Sequence, residues 1–140
     1  MTQTIILKGD FVRKERVANA AITPGDLVEI MSTGKLRRHG TMGSAAQRAF
    51  ALENDLIGKT IADDYAANDQ AQYGVFYPGA EVYAWLQINE SCSIGDFLES
   101  DGTGKLQVAS TPIEGSNVAI ALEAITGGGG VAKRVKVEVV

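Results

Sequence analysis

The chain has 140 residues, 45% hydrophobic and 21% charged, with a net charge of −4 at pH 7. That describes one modest globular domain, able to bury roughly 70% of its unfolded surface without disulfides or metal. One cysteine and one histidine exclude an internal disulfide framework and make a Cys- or His-based metal centre or a histidine triad unexpected, and the acidic balance argues against a general nucleic-acid binder.

In chain order, residues 1–17 come first. They hold Lys8, Arg13, Lys14 and Arg16 beside Asp10 and Glu15, and read as an extended N-terminal arm that a partner orders. Ile5-Ile6-Leu7 is too short for a secretory core, and no apolar run approaches the 20 or so residues that span a membrane. The sequence thus points to synthesis in a reducing cytoplasm. Residues 18–140 read as a single β-rich domain. Gly25 and Asp26 form a turn before the apolar stretch Leu27–Ile30. A polar turn, Ser32-Thr33-Gly34, then leads to a second strand at Lys35-Leu36, so the pair reads as a hairpin.

The next segment is ambiguous. Ser44 with Gln47 imitates a capping box, and Ala45–Leu52 contains good helix formers. Beyond it, Asn68-Asp69 precedes a strand at 71–76 and Pro78-Gly79 precedes one at 81–86. Val82–Leu86, with Trp85, is apolar on both faces and reads as a strand buried on both sides, in the core or at a subunit interface, with the core favoured. Gly127–Gly130 reads as a flexible surface loop. Residues 131–140 alternate charged and apolar, as a strand with one solvated face does.

A repeat resolves the ambiguity. Comparing each residue with the one 70 positions later gives 14 identities over positions 18–58, where chance at ordinary frequencies gives about three. Gly25-Asp26 returns as Gly95-Asp96, Thr33-Gly34-Lys35-Leu36 as Thr103-Gly104-Lys105-Leu106, and Ala49, Ala51, Leu52 and Glu53 as Ala119, Ala121, Leu122 and Glu123. The second copy carries Val118 and Ile120 where the first looks helical. Residues 48–53 are therefore assigned to a strand, with at most one helical turn at 44–47. Two related halves, about 18–60 and 88–130, are expected to share one body, with connecting strands at 71–86 and a C-terminal strand at 131–140. The fold class is all-β: a compact small barrel or sandwich of about 10 short strands.

The chemistry-bearing residues give no motif. Gly58-Lys59-Thr60 ends like a phosphate loop, but Glu53 stands where the first glycine belongs. Asp63, Asp64 and Asp69 lack calcium-loop spacing and its closing glutamate. His39 follows Arg37-Arg38 with no partner at a recognisable spacing and reads as a surface or interface histidine. Cys92 replaces Ile22 in the repeat, as a small buried apolar residue would. Ser44 and Ser91 lie in no nucleophile elbow. Lys35 and Lys105 flank hairpin turns as carrier-domain lysines do, but their occurrence in both copies fits a structural turn better. The sequence gives no catalytic residue, no metal ligand and no cofactor or small-molecule site, and no enzyme activity is expected.

The runs Thr23–Val28, Ala49–Glu53, Tyr73–Phe76, Pro78–Tyr83 and Ile94–Glu99 resemble bacteriophage head-decoration, or capsid cement, proteins. The clear duplication departs from the simplest single-barrel members. The resemblance implies a non-enzymatic virion protein on the outer surface of an icosahedral head, bridging major capsid subunits and forming a homo-oligomer, with a trimer favoured. It implies neither nucleic acid nor membrane as partner. Contact with the shell would fall to the basic arm (Lys8, Arg13, Lys14, Arg16) and to Arg37, Arg38 and Arg48. Gly25, Asp26, Gly34, Lys35, Gly95, Asp96, Gly104 and Lys105 would be structural turn residues. Two other readings stay open: a head-completion or tail barrel, and a small ligand-binding or carrier barrel.

Overall fold

A computed structural model describes residues 4–111 and 115–140. They form β1 (Ile6–Lys8), β2 (Phe11–Val17), β3 (Val28–Ile30), β4 (Leu36–Arg38), β5 (Ala49–Ala51), a 3₁₀ turn (Asp55–Ile57), β6 (Gln70–Phe76), β7 (Glu81–Leu86), β8 (Phe97–Ser100), β9 (Leu106–Val108), β10 (Asn117–Ala121) and β11 (Lys133–Val139). The protein is all-β, and the segment expected as a strand at 48–53 contains one, β5, shortened to Ala49–Ala51, with no helical turn at 44–47.

The strands trace two circuits. β7, β11, β10, β8 and β9 are neighbours in that order, and a parallel contact of Leu86 with Leu106 returns β9 to β7. This closes a five-stranded barrel, a shape that leaves few open edges. In the N-terminal part, β2-β6-β5 and β3-β4 form separate short sheets. An antiparallel bridge between Leu27 and Phe50 and a parallel bridge between Ala18 and Leu36 link them in the same cyclic order.

Local bonds recur with the 70-residue offset. The Gly25 N–H donates to the Ala51 carbonyl at 2.8 Å, and that of Gly95 to the Ala121 carbonyl at 2.9 Å. The Asp26 and Asp96 carboxylates each accept an N–H from three residues back, Thr23 and Ser93, both at 2.8 Å. Such Asx contacts explain why Gly-Asp opens each strand pair: glycine takes the positive φ (97° and 93°) and aspartate fixes the turn.

The sequence-based boundaries change. The described part of the expected arm, 4–17, contains β1 and β2; residues 1–3 lie outside the described residues. β2 pairs with β6 along all seven of its residues. Ile5 is fully buried, and its N–H donates to the Glu53 carboxylate at 3.0 Å. Three apolar anchors, Ile5, Ile6 and Phe11, carry the segment into the fold while most of its charged side chains stay exposed, a pattern that charge alone makes look like an arm. The expected connectors at 71–86 are likewise integral: β6 belongs to the first circuit and β7 to the second.

Core packing explains why the halves form one body. Phe50, Leu27, Leu52 and Phe76 from the N-terminal part pack with Val82, Leu98, Val118, Val135 and Val137 in one cluster. Ala18, Ile22, Val28, Leu36, Ala49, Ala51 and Tyr73 form a smaller second cluster. β5 is buried on both faces, so its alternation sends Phe50 into the shared cluster and the two alanines into the smaller one. Cys92 is buried, as expected from the repeat, and burial raises its thiol pKa. The loop at Gly127–Gly130 is fastened rather than free: Gly127 N–H donates to Ser91 Oγ and Gly130 N–H to Asn89 Oδ1, both at 2.9 Å.

Candidate interaction surface

The basic residues expected at a contact surface divide into two groups. Arg38 and Arg48 serve the interior. Arg38 Nε donates to Asp26 Oδ2 at 2.6 Å and its Nη2 to Thr23 Oγ1 at 2.9 Å. Asp26 is 1% exposed, and burial outweighs the arginine in moving its carboxyl pKa above the ordinary value. Arg48 donates to the carbonyls of Ala46, Asn117, Val140 and Gly115, at 2.7, 2.6, 3.2 and 3.4 Å. Three of these acceptors lie in the C-terminal part, so Arg48 clamps the two parts together. Satisfying several carbonyls with one planar fork suits arginine and no other side chain.

His39 is also internal, 2% exposed, against the expectation of a surface or interface histidine. With its proton on Nε2, the ring donates to the Ala45 carbonyl at 3.1 Å and accepts the Ser100 hydroxyl on Nδ1 at 2.7 Å. Glu29 Oε1 lies 3.8 Å from Nε2. Ser100, His39 and Glu29 thus imitate a hydrolytic triad in composition. Ser100, however, is fully buried and its oxygen accepts the Gly102 N–H at 3.1 Å. This arrangement ties the β3–β4 hairpin to the 100–104 turn and leaves the hydroxyl no path to a substrate.

A second junction lies under Arg134. Its guanidinium sits 4.2 Å from the Trp85 ring and donates to the carbonyls of Pro24 and Ile61 at 2.8 and 2.7 Å. Trp85 Nε1 donates to the same Pro24 carbonyl at 3.0 Å. Trp85 is therefore half-buried on the outer face of β7 beneath an arginine, while Val82, Ala84 and Leu86 fill the core. Sequence reading assigned Trp85 to the core and Arg134 to a solvated face. Neither residue signals this pairing, because nothing local links Pro24 to β11.

The other basic residues face outward. Arg13 and Lys14 are exposed and Arg16 half-buried on β2. Arg13 Nη1 donates to Gln72 Oε1 at 2.6 Å, and Arg16 Nη1 to the Gly34 carbonyl at 3.0 Å. Arg37 pairs with Glu29 at 2.8 Å and Lys35 Nζ reaches Asn68 Oδ1 at 3.4 Å. Lys8 lies on a different sheet, opposite Glu81. Gly34 and Gly104 adopt φ of 85° and 84° at equivalent turns. Lys105 follows the second turn, where its N–H meets Asp101 Oδ1 at 3.2 Å.

The acidic loop has a structural account as well. Asp63 Oδ2 accepts from the Thr60 N–H and hydroxyl, and Asp69 Oδ2 from the Ala66 N–H. These contacts lower the Asp63 pKa, the Thr60 backbone bond most of all. Among the described residues no group of three or more His, Cys, Asp or Glu could hold a metal ion, and no helix is long and apolar enough to cross a membrane.

No protein-family model matches the chain, and no curated protein matches it. The chain is similar in structure to the N base of the head fiber gp8.5 of bacteriophage phi29, with a TM-score of 0.60 and 13% sequence identity. The match covers 94% of this chain and 95% of that one, so the two share a fold along their whole length.

Proposed function

We propose that this protein is a non-enzymatic structural component of a bacteriophage virion that decorates the outer surface of the assembled head. The observation that carries the reading is the end-to-end likeness to the base of a phage head fiber. The decoration motifs quoted above support it independently. The cluster that most resembles a catalytic one is closed over a buried serine, in keeping with a role that needs no chemistry. The recurring bonds at Gly25 and Gly95 support descent from one duplicated unit.

On this reading the partner is the major capsid protein, and binding is shared across several weak contacts, as in a homo-oligomer, with a trimer favoured. A ligand that binds only the assembled shell stabilises it by mass action. The test adds purified protein to empty heads and measures copies bound and the temperature of genome release from filled heads. Hundreds of copies with raised thermal stability support a cement role. No binding to heads overturns it. The likeness to a fiber base favours one alternative, a foot that seats a projecting structure; bound copies without any gain in particle stability select that reading.

A further inference from the structure

The two circuits differ at one edge. On β6, Leu52 N–H bonds the Gln72 carbonyl and Phe76 N–H bonds the Arg48 carbonyl, so residues 72, 74 and 76 face β5. Residues 71, 73 and 75 then face β2, and by register Arg16, Lys14 and Val12 direct their backbone groups to β6. Arg13 and Glu15 turn their N–H and C=O outward. In the other circuit, Val137 opposes both Ala121 and Val82, as Tyr73 opposes both Ala51 and Lys14. Lys14 thus corresponds to Val82 and Glu15 to Tyr83. The Tyr83 N–H is bonded to the Ile5 carbonyl at 2.8 Å, where the chain runs into β1. Among the described residues, no strand takes β1's place along Arg13–Glu15.

We propose that this open edge of β2 accepts one extended segment of a partner protein, alternating acidic and apolar, as an added antiparallel strand. Lys14 and Arg16 project from one face of β2, while Arg13 stands with Glu15 on the other, so an alternating acidic strand sets its carboxylates against Lys14 and Arg16 and its apolar side chains on the opposite face. A hollow of about 290 Å³ lies beside the edge, lined by Arg13, Lys14, Glu15, Leu56 and Gln72. Leu56 is 79% exposed there and offers an apolar seat to alternate side chains. Main-chain bonds supply the docking and the pockets supply selectivity, as in other strand-addition sites. The inference deepens the proposed function and rests on it only in expecting the segment to belong to a shell protein.

The test uses the full chain and two synthetic peptides, one alternating Glu with Val and one alternating Lys with Val. Amide exchange read by NMR should slow at Arg13 and Glu15 with the Glu peptide. The Lys peptide should bind about tenfold more weakly, the scale of two cross-strand pairs, at Lys14 and Arg16, changed from opposite to like charge. Glu15→Pro deletes an outward N–H without touching the β6 ladder, and should abolish binding in a folded protein. Lys14→Pro, which breaks a ladder bond, is the control for damage. Equal protection by both peptides, no protection by either, or undiminished binding to a folded Glu15→Pro variant overturns the proposal. If the Glu peptide binds but heads do not, the edge stands and the head reading falls. If wild-type and Glu15→Pro proteins bind heads equally well and no peptide binds, only the edge falls.

Discussion

Gly34 and Gly104 occupy the same place in the repeat and have nearly the same φ, 85° and 84°. Alanine at either must adopt a left-handed conformation, at a cost of about 1–2 kcal/mol. Their surroundings differ. A Cβ on Gly34 would meet only Arg16 Nη1 at 3.9 Å, which is ordinary contact. A Cβ on Gly104 would lie 2.8 Å from Arg38 Cγ and 2.9 Å from its Cβ, atoms near the backbone that cannot swing clear. Overpacking of this kind adds ~1–3 kcal/mol. Moving Arg38 would also loosen its bond to the buried Asp26. Gly34→Ala should therefore cost about 1–2 kcal/mol and Gly104→Ala about 2–5 kcal/mol. Urea unfolding separates them, because a difference of 2 kcal/mol or so shifts the midpoint by about 1 M at a typical slope. Equal stabilities, within about 0.5 kcal/mol, would refute the argument that the 100–104 turn is locked against Arg38.

Other outcomes follow from the same contacts. Arg48→Ala should destabilise the protein by about 1–3 kcal/mol in urea unfolding, because part-buried carbonyls of both parts lose a charged donor. Tyr65 donates its hydroxyl to the Leu52 carbonyl at 2.6 Å, and burial pushes its pKa up to about 12 from 10.0. The folded state then holds a proton that the unfolded chain releases, so stability should fall as pH rises from 10.0 towards about 12. Tyr65→Phe should remove that slope and cost about 1 kcal/mol at neutral pH. Cys92 should react slowly with iodoacetamide in the native protein and quickly in urea, read by intact mass, since burial disfavours the thiolate. Lys14→Glu should weaken binding to heads by up to about fivefold while leaving the unfolding midpoint unchanged, one reversed surface contact changing by up to ~1 kcal/mol.

Patterns of short range determined much of this protein in advance. The alternation of Val135, Val137 and Val139 against Arg134, Lys136 and Glu138 already specifies a half-buried strand, and all three valines are buried. Gly-Asp and Thr-Gly-Lys mark turns because φ and side-chain-to-backbone bonding are properties of two or three residues. The repeat converted a helix-like stretch at 48–53 into a strand, since Val118 and Ile120 remove the helical option. Decisions of long range were not legible. Arg48 and Arg38 look like surface charges until carbonyls and a carboxylate from distant segments surround them. The basic composition of residues 1–17 hides two strands, because three apolar anchors are enough to dock a segment most of whose charged side chains stay exposed. Trp85 needed Arg134 above it, and His39 needed Ser100, each 49 or more residues away in sequence. Local propensity fixes which segments become strands and where they turn. Only tertiary packing decides which charges are consumed inside and which strand edge is left open, because both depend on what the far half of the chain brings alongside.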